Sequence, residues 1–206
     1  MKLFDCPVEE VLTEIPKQDC NFKIGQAVKF AFGRIGAAAP FTSITVLTKT
    51  AWDAFITADD ETKIVVTNYL NNVVIPSTDS VEEGGETNIN RMPELMDGGN
   101  AAATFSPRGI SPAVRKAMKK LIQYSAIQPG VSELGFVMIN SDGEIIADTT
   151  NFWIPVYNLF LGDSDVVAEK GKSNNSIGKF MLAYGWSDEL VKYKPAFNIL
   201  ATYPAP

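Results

Sequence analysis

The 206-residue chain contains no histidine, and that absence removes whole classes of chemistry. No Ser-His-Asp or Cys-His nucleophile system can be built, and no metal can be held by imidazole. The usual general base near neutral pH is missing as well. There are two cysteines, Cys6 and Cys20, at neither a metal spacing nor a Cys-x-x-Cys spacing, so they read as reduced, partly buried thiols. No stretch has the apolar length that a membrane-spanning helix requires. Met1 to Pro7 (MKLFDCP) lacks the apolar centre of a signal peptide, which gives the expectation of a soluble protein made in a cytoplasm. Basic residues are outnumbered, 18 against 24 acidic, for a net charge of −6. That balance argues against a surface built to grip nucleic acid. It does not argue against nearness to DNA, because a wall that lets DNA slide past should repel phosphate.

What remains is the composition of an ordinary globular protein, 46% hydrophobic and 20% charged, long enough to bury a core as a single domain over 1–206. Its best-marked element is a helix from Ser111 to Ser125. Ser111 suits an N-cap and Pro112 the first helical position. Val114, Ala117, Met118, Leu121 and Ile122 then form one apolar stripe. Arg115, Lys116, Lys119, Lys120 and Gln123 fill the opposite face, and Gln128-Pro129-Gly130 ends the element. Such a helix needs an apolar surface to lie on, and the text around it reads as β.

Phe22, Ile24, Val28, Phe30 and Phe32 make one face of a long strand, with Lys23, Gly25, Ala27, Lys29 and Ala31 on a small or basic second face. Short strands are expected at Ile44–Leu47, Lys63–Thr67, Asn72–Pro76 and Ala101–Phe105, with a turn at Asn68–Asn71 and a short helix at Lys49–Ile56. Leu134–Ile139 is apolar on both parities, so it should be buried on both faces. Ser141-Asp142-Gly143-Glu144 predicts a type I′ hairpin turn to Ile145 and Ile146. Strands at Phe152–Leu161, Ile177–Tyr184 and Ala196–Thr202 follow, with Pro155 marking an edge or a bulge in the first. Residues 1–20 read as an N-terminal arm. A long polar loop begins at Ser77, runs through Arg91 and reaches about residue 100. The fold class is a β-rich α+β domain: a β-sandwich or barrel-forming sheet with one flanking amphipathic helix.

Candidate sites are weak. Gly171-Lys172-Ser173 matches the end of a phosphate loop, but position 166 is Val166 where the motif needs glycine. Asp163, Asp165 and Glu169 lack the rest of a calcium loop, and Asp59-Asp60-Glu61 reads as a solvated turn. Trp52, Trp153 and Trp186 read as core rather than a sugar-stacking platform. No catalytic residue, metal ligand or cofactor is assigned. The basic helix face (Arg115, Lys116, Lys119, Lys120) suits an acidic face on a neighbouring copy, with Glu82 and Glu83 as its natural partner.

Three stretches, taken with the order of elements, carry a resemblance. They are NFKIGQAVKFAFGR (Asn21 to Arg34), ELMDGGNAAATFSPRGISPAVRKAMKKL (Glu94 to Leu121) and AYGWSDEL (Ala183 to Leu190). In pattern the chain resembles the major tail tube proteins of long-tailed bacteriophages. The resemblance implies a virion protein of the tail, assembled in the host cytoplasm, whose six copies share a β-barrel in a ring. Rings would stack into a tube that conducts DNA without binding it specifically. The partners implied are other copies and other tail proteins, with no membrane and no enzyme activity. Other phage structural roles, in head decoration or tail completion, stand beside it. From other classes stand a carbohydrate-binding β-sandwich module and a carboxylate-based hydrolase.

Overall fold

The computed structural model describes residues 24–36, 41–84, 93–107, 110–125, 133–164 and 176–204. The arm with Cys6 and Cys20, the start of the first strand at Phe22, Gln128-Pro129-Gly130, Gly171-Lys172-Ser173, and Asp165 with Glu169 lie outside them. In chain order the elements are β1 (Ala27–Arg34), α1 (Lys49–Thr57), β2 (Val65–Val66), β3 (Leu70–Val74), β4 (Ser80–Gly84) and β5 (Pro93–Gly98). Next come β6 (Ala101–Pro107), α2 (Pro112–Lys120), β7 (Leu134–Asn140), β8 (Ile145–Asp148) and β9 (Ile154–Pro155). The last are β10 (Tyr157–Leu161), β11 (Gly178–Leu182), β12 (Leu190–Tyr193) and α3 (Ile199–Thr202).

Two antiparallel sheets face each other. The first has the order β12-β8-β7-β1-β2, with β9 also beside β7, and the second β10-β11-β6-β3. The fold is therefore a β-rich α+β sandwich. Between the sheets Phe30 is the hub, edge-on to Phe136 at 5.2 Å, Phe105 at 5.5 Å and Phe180 at 5.8 Å. Each such pair contributes roughly 0.5–1.5 kcal/mol beyond its area burial. α2 closes this core from one side through Val114 and Met118, and the 3₁₀ turn that continues it over Leu121–Tyr124, where the sequence predicted unbroken α-helix, adds Leu121 and Ile122.

The outer face of the first sheet is also covered. Ala31, Val137, Ile139, Ile145 and Ala147 pack against Trp52 of α1, Phe41, Val46, Ile199 of α3 and Tyr203. The second face of β1 is thus dry rather than wet, and its lysine is buried with it. Lys29 is 3% exposed. Its ammonium donates to the carbonyls of Leu200, at 2.8 Å, and Tyr203, and lies 4.2 Å from the Tyr69 ring centroid. Burial pushes its pKa below the ordinary lysine value. Tyr203 in turn donates its hydroxyl to Asp53 Oδ1 at 2.5 Å. Burial and that carboxylate push the phenol well above its ordinary value of 10.0.

Several elements differ from the sequence expectation. Thr45–Leu47 is a turn of 3₁₀ helix, not a strand, because Thr42 and Thr45 cap each other: each hydroxyl accepts from the other's backbone N–H, at 2.8 and 3.1 Å. Ala196–Thr202 is not a strand either, since Asn198 Oδ1 accepts from Ala201 N at 3.1 Å and starts α3. The edge position falls to β12, which pairs with β8. Phe152–Leu161 divides at Val156: β9 pairs with β7 in the first sheet, and β10 pairs with β11 in the second. The turn after Asn140 is not type I′, because only Gly143 has a positive φ, 72°. It is a three-residue connection with glycine in the left-handed position, and Asn140 Oδ1 accepts from the N–H groups of Asp142 and Glu144. The asparagine tolerance for positive φ is used at Asn72, φ 50°, inside a bulge of β3 rather than in a turn over Asn68–Asn71. The polar stretch from Ser77 contains a hairpin, β4 on β5, whose residues 85–92 lie outside the description.

Gly33 and Gly135 are cross-strand partners on β1 and β7, and together they leave the slot that the Trp153 ring fills. A Cβ on Gly33 would come within 2.2 Å of that ring. Gly33→Ala is expected to lower stability by about 1–3 kcal/mol, read as a shift of the urea midpoint. A second expectation follows from Tyr203. The unfolded chain releases the phenolic proton near pH 10 while the folded chain keeps it. The hydroxyl therefore stabilises the fold fully below that pH, and its contribution is lost as pH rises above it. Tyr203→Phe should be less stable than the parent at neutral pH, and the gap should close above about pH 10. Denaturant titrations of both proteins from neutral to alkaline pH measure this difference.

Candidate assembly surface

β6 alternates buried and half-exposed residues along its whole length, which gives the second sheet one face in the core and one face outward. The outward row across all four strands is Phe160, Lys179, Thr104 and Val74, set by the registers Phe160↔Lys179, Lys179↔Thr104 and Thr104↔Val74. Ala102, Ser106 and Met181 extend the same face. No carboxylate occurs in any of the four strands. The edges are β10 and β3, whose only strand partners among the described residues are β11 and β6; beyond its ladder, Leu159 N of β10 donates to Ser125 Oγ at 3.1 Å. Phe160 on one edge is 57% exposed and Val74 on the other 55%. Both edge strands are bulged, at Asn158 (φ 52°) and Asn72 (φ 50°), which limits further pairing to short segments. The sequence placed a strand at Ile177–Tyr184 but did not show that, among the described residues, nothing packs over this face.

β4 and β5 form a separate two-stranded sheet, pairing with no other strand among the described residues. Their base is fastened: Gly99 N donates to Asp79 O at 2.6 Å, and the Tyr184 ring lies where a Cβ on Gly98 would fall. Glu82 and Glu83 sit on β4, and Ser80 Oγ donates to Glu82 Oε1 at 2.7 Å. Residues 79–98 hold six carboxylates and one basic residue, Arg91. Elsewhere the chain has 17 basic and 18 acidic residues, so nearly all its net charge belongs to this hairpin.

α2 begins as its sequence predicts. Ser111 Oγ accepts from Val114 N at 3.3 Å and Pro112 occupies the first turn. The apolar stripe meets the core except at Ala117, which is exposed. Its four cations divide. Lys119 Nζ lies 2.6 Å from Asp163 Oδ1, and that contact holds the Asp163 carboxyl below its usual range. Arg115 is half-buried, with its Nε shielded from solvent and without a hydrogen-bond partner. Lys116 and Lys120 are exposed and make no ion pair among the described residues. The sequence placed all four on one free face. The structure leaves two fully exposed.

The other candidates are closed locally. Asp59, Asp60 and Glu61 border a cavity of about 390 Å³ together with Arg34, Lys63 and Tyr124. Arg34 pairs with Glu133 at 2.6 Å and Glu61 at 3.9 Å, Lys63 pairs with Asp59 at 3.8 Å, and Asp60 Oδ1 accepts from both the N–H and hydroxyl of Thr62. Among the described residues no group of three or more histidine, cysteine or acidic side chains is placed to hold a metal ion. None of the helices among them is long and apolar enough to cross a membrane. Trp52 and Trp153 are core residues, and Trp186 is half-buried against the core. Comparison with family models, curated proteins and solved structures gives no match. For α2 itself, Ser111→Ala should cost about 1 kcal/mol of unfolding free energy and Ser111→Gly only a few tenths, measured by urea denaturation.

Proposed function

We propose that the chain is a virion structural protein, a subunit of stacked hexameric rings that form a phage tail tube conducting DNA. The observation that carries this reading is the outward face of the β10-β11-β6-β3 sheet. That face has a large apolar side chain exposed on each of its two edge strands, with Lys179, Thr104, Ala102, Ser106 and Met181 between them and no carboxylate. A sheet of this kind is completed when the edge of one copy meets the opposite edge of the next, and a heterologous contact repeated with rotation closes a ring. In this reading the wetted wall is the second sheet, since the small face of β1 is covered within the subunit. Six copies of a −6 chain carry −36 formal charges, which favours passage of DNA over adhesion. That charge sits on the hairpin rather than on the sheet face.

The purified full-length protein at high concentration should form rings or long polymers under negative stain, with matching sedimentation. Phe160→Glu should hold the protein at the single-subunit size while its circular dichroism stays that of the parent. A parent that sediments as one subunit at every concentration rejects the proposal. A melting temperature raised by added sugar would favour a binding module instead.

A further inference from the structure

Where residues 75–79, leading from β3 into β4, pass the turn between β11 and β12 (residues 183–189), the surface folds around a cavity of about 310 Å³. That is the lower end of ligand-pocket sizes, enough for a small head group on a short stem. Ile24, Ile75 and Pro76 give the cavity an apolar side, and Tyr184 and Trp186 bring two aromatic rings to it. Tyr184 is 66% exposed even though its ring sits where a Cβ on Gly98 would fall, and Trp186 is half-buried against the core. The turn itself fixes the rim: Trp186 N donates to Ala183 O at 3.3 Å and Asp188 N to Gly185 O at 3.1 Å. Gly185 has φ 76°, and Asp188 Oδ2 lies 3.1 Å from the place a Cβ there would take, so the carboxylate is folded back over the turn, and both residues line the cavity.

The polar groups of this cavity are unengaged. The hydroxyls of Ser77, Thr78 and Ser187 and the carboxylate of Asp188 make no hydrogen bond or ion pair with a described side chain. At the acidic turn, by contrast, each of Asp59, Asp60 and Glu61 has a partner within the subunit. We propose that the cavity is a binding site for an organic cation, an ammonium or guanidinium group on a short apolar stem. The ring faces attract the cation, Asp188 supplies the opposing charge, the hydroxyls accept from its N–H groups, and the apolar side covers the stem. Charge selects this class over a neutral ring such as a sugar, which would leave the Asp188 charge uncompensated. None of the described residues lining the cavity is basic, and exposed Asp79 follows Thr78 in the chain. The net charge of −6 raises the local concentration of cations further. A free amine and the basic side chain of a partner protein share this chemistry. The site belongs to the single subunit and operates whether or not rings form.

The test uses the full-length protein and two kinds of probe. Butylammonium and butylguanidinium stand for a free amine, and Nα-acetyl-lysinamide and Nα-acetyl-argininamide for a partner's side chain. Tryptophan fluorescence and titration calorimetry should show saturable binding in about the millimolar range. Butanol, the same stem without charge, should bind about tenfold more weakly. Asp188→Asn changes an exposed side chain with no partner in the fold, and it should weaken binding about threefold or more. It should also remove the salt dependence that the parent shows between about 0.05 and 0.5 M. Tyr184→Leu keeps an apolar side chain beside Gly98 and should weaken every probe about threefold, with circular dichroism establishing that both variants are folded. Tighter binding of the amino-acid amides upholds the site and assigns it to a partner's side chain; tighter binding of the butyl cations upholds it and assigns it to a free amine. No saturation by any cation, butanol binding as tightly as butylammonium, or Asp188→Asn binding like the parent overturns the proposal. So does saturation by a monosaccharide such as glucose with none by the cations. A parent that binds the cations yet sediments as one subunit keeps this site and rejects the ring.

Discussion

β1 and β7 form the one strand pair that the remaining layers are built upon. Seven residues of β7 in succession are buried, and on β1 Phe30, Ala31 and Phe32 alternate between two different cores while all remain dry. A pair buried on both faces must satisfy its backbone groups within the sheet, and the long antiparallel register from Ala27↔Asn140 to Arg34↔Leu134 does so. Once that ladder is fixed, the large side chains of β1 point at the second sheet and the small ones at α1 and α3. A one-residue slip would exchange the two sets and put phenylalanine where only alanine fits.

The division of labour between the layers follows. The phenylalanine core between the sheets holds the sandwich, while the helical layer seals the other side through Trp52, Phe41 and Tyr203, whose rings stack at 4.7 and 6.2 Å about the tryptophan. Lys29 belongs to this seal. Its ammonium satisfies two carbonyls at the end of α3 that no backbone N–H reaches within the helix. The result is asymmetric: among the described residues the first sheet is covered on both faces and the second on one.

How much of this was legible in the sequence depended on how local the signal was. Ser111, Pro112 and the stripe through Met118 and Ile122 announce α2 within one window, and β7 announces its double burial by an unbroken apolar run. Residues 45–47 and 196–202 carry strand-like composition, yet short side-chain caps from Thr42, Thr45 and Asn198 turn the backbone the other way. The sheet change at Val156 has no pattern of its own, since both halves are apolar and only pairing partners distinguish them. The hairpin has strands without apolar alternation, so its composition reads as loop. On the α2 face and the second sheet, charge was legible but exposure was not. Which α2 lysines stay exposed is decided by Asp163, 44 residues away in sequence, and the cover on the first sheet is decided by where Ile199 and Tyr203 lie down.

Placing nearly all of the net charge on one hairpin also governs how the body behaves at a distance. With 17 basic and 18 acidic residues, the rest of the molecule is close to electrically neutral and offers little long-range repulsion between copies. The hairpin then carries most of the electrostatic repulsion that one copy of the chain presents to another in solution. Any event that neutralises or buries it removes that repulsion at a stroke.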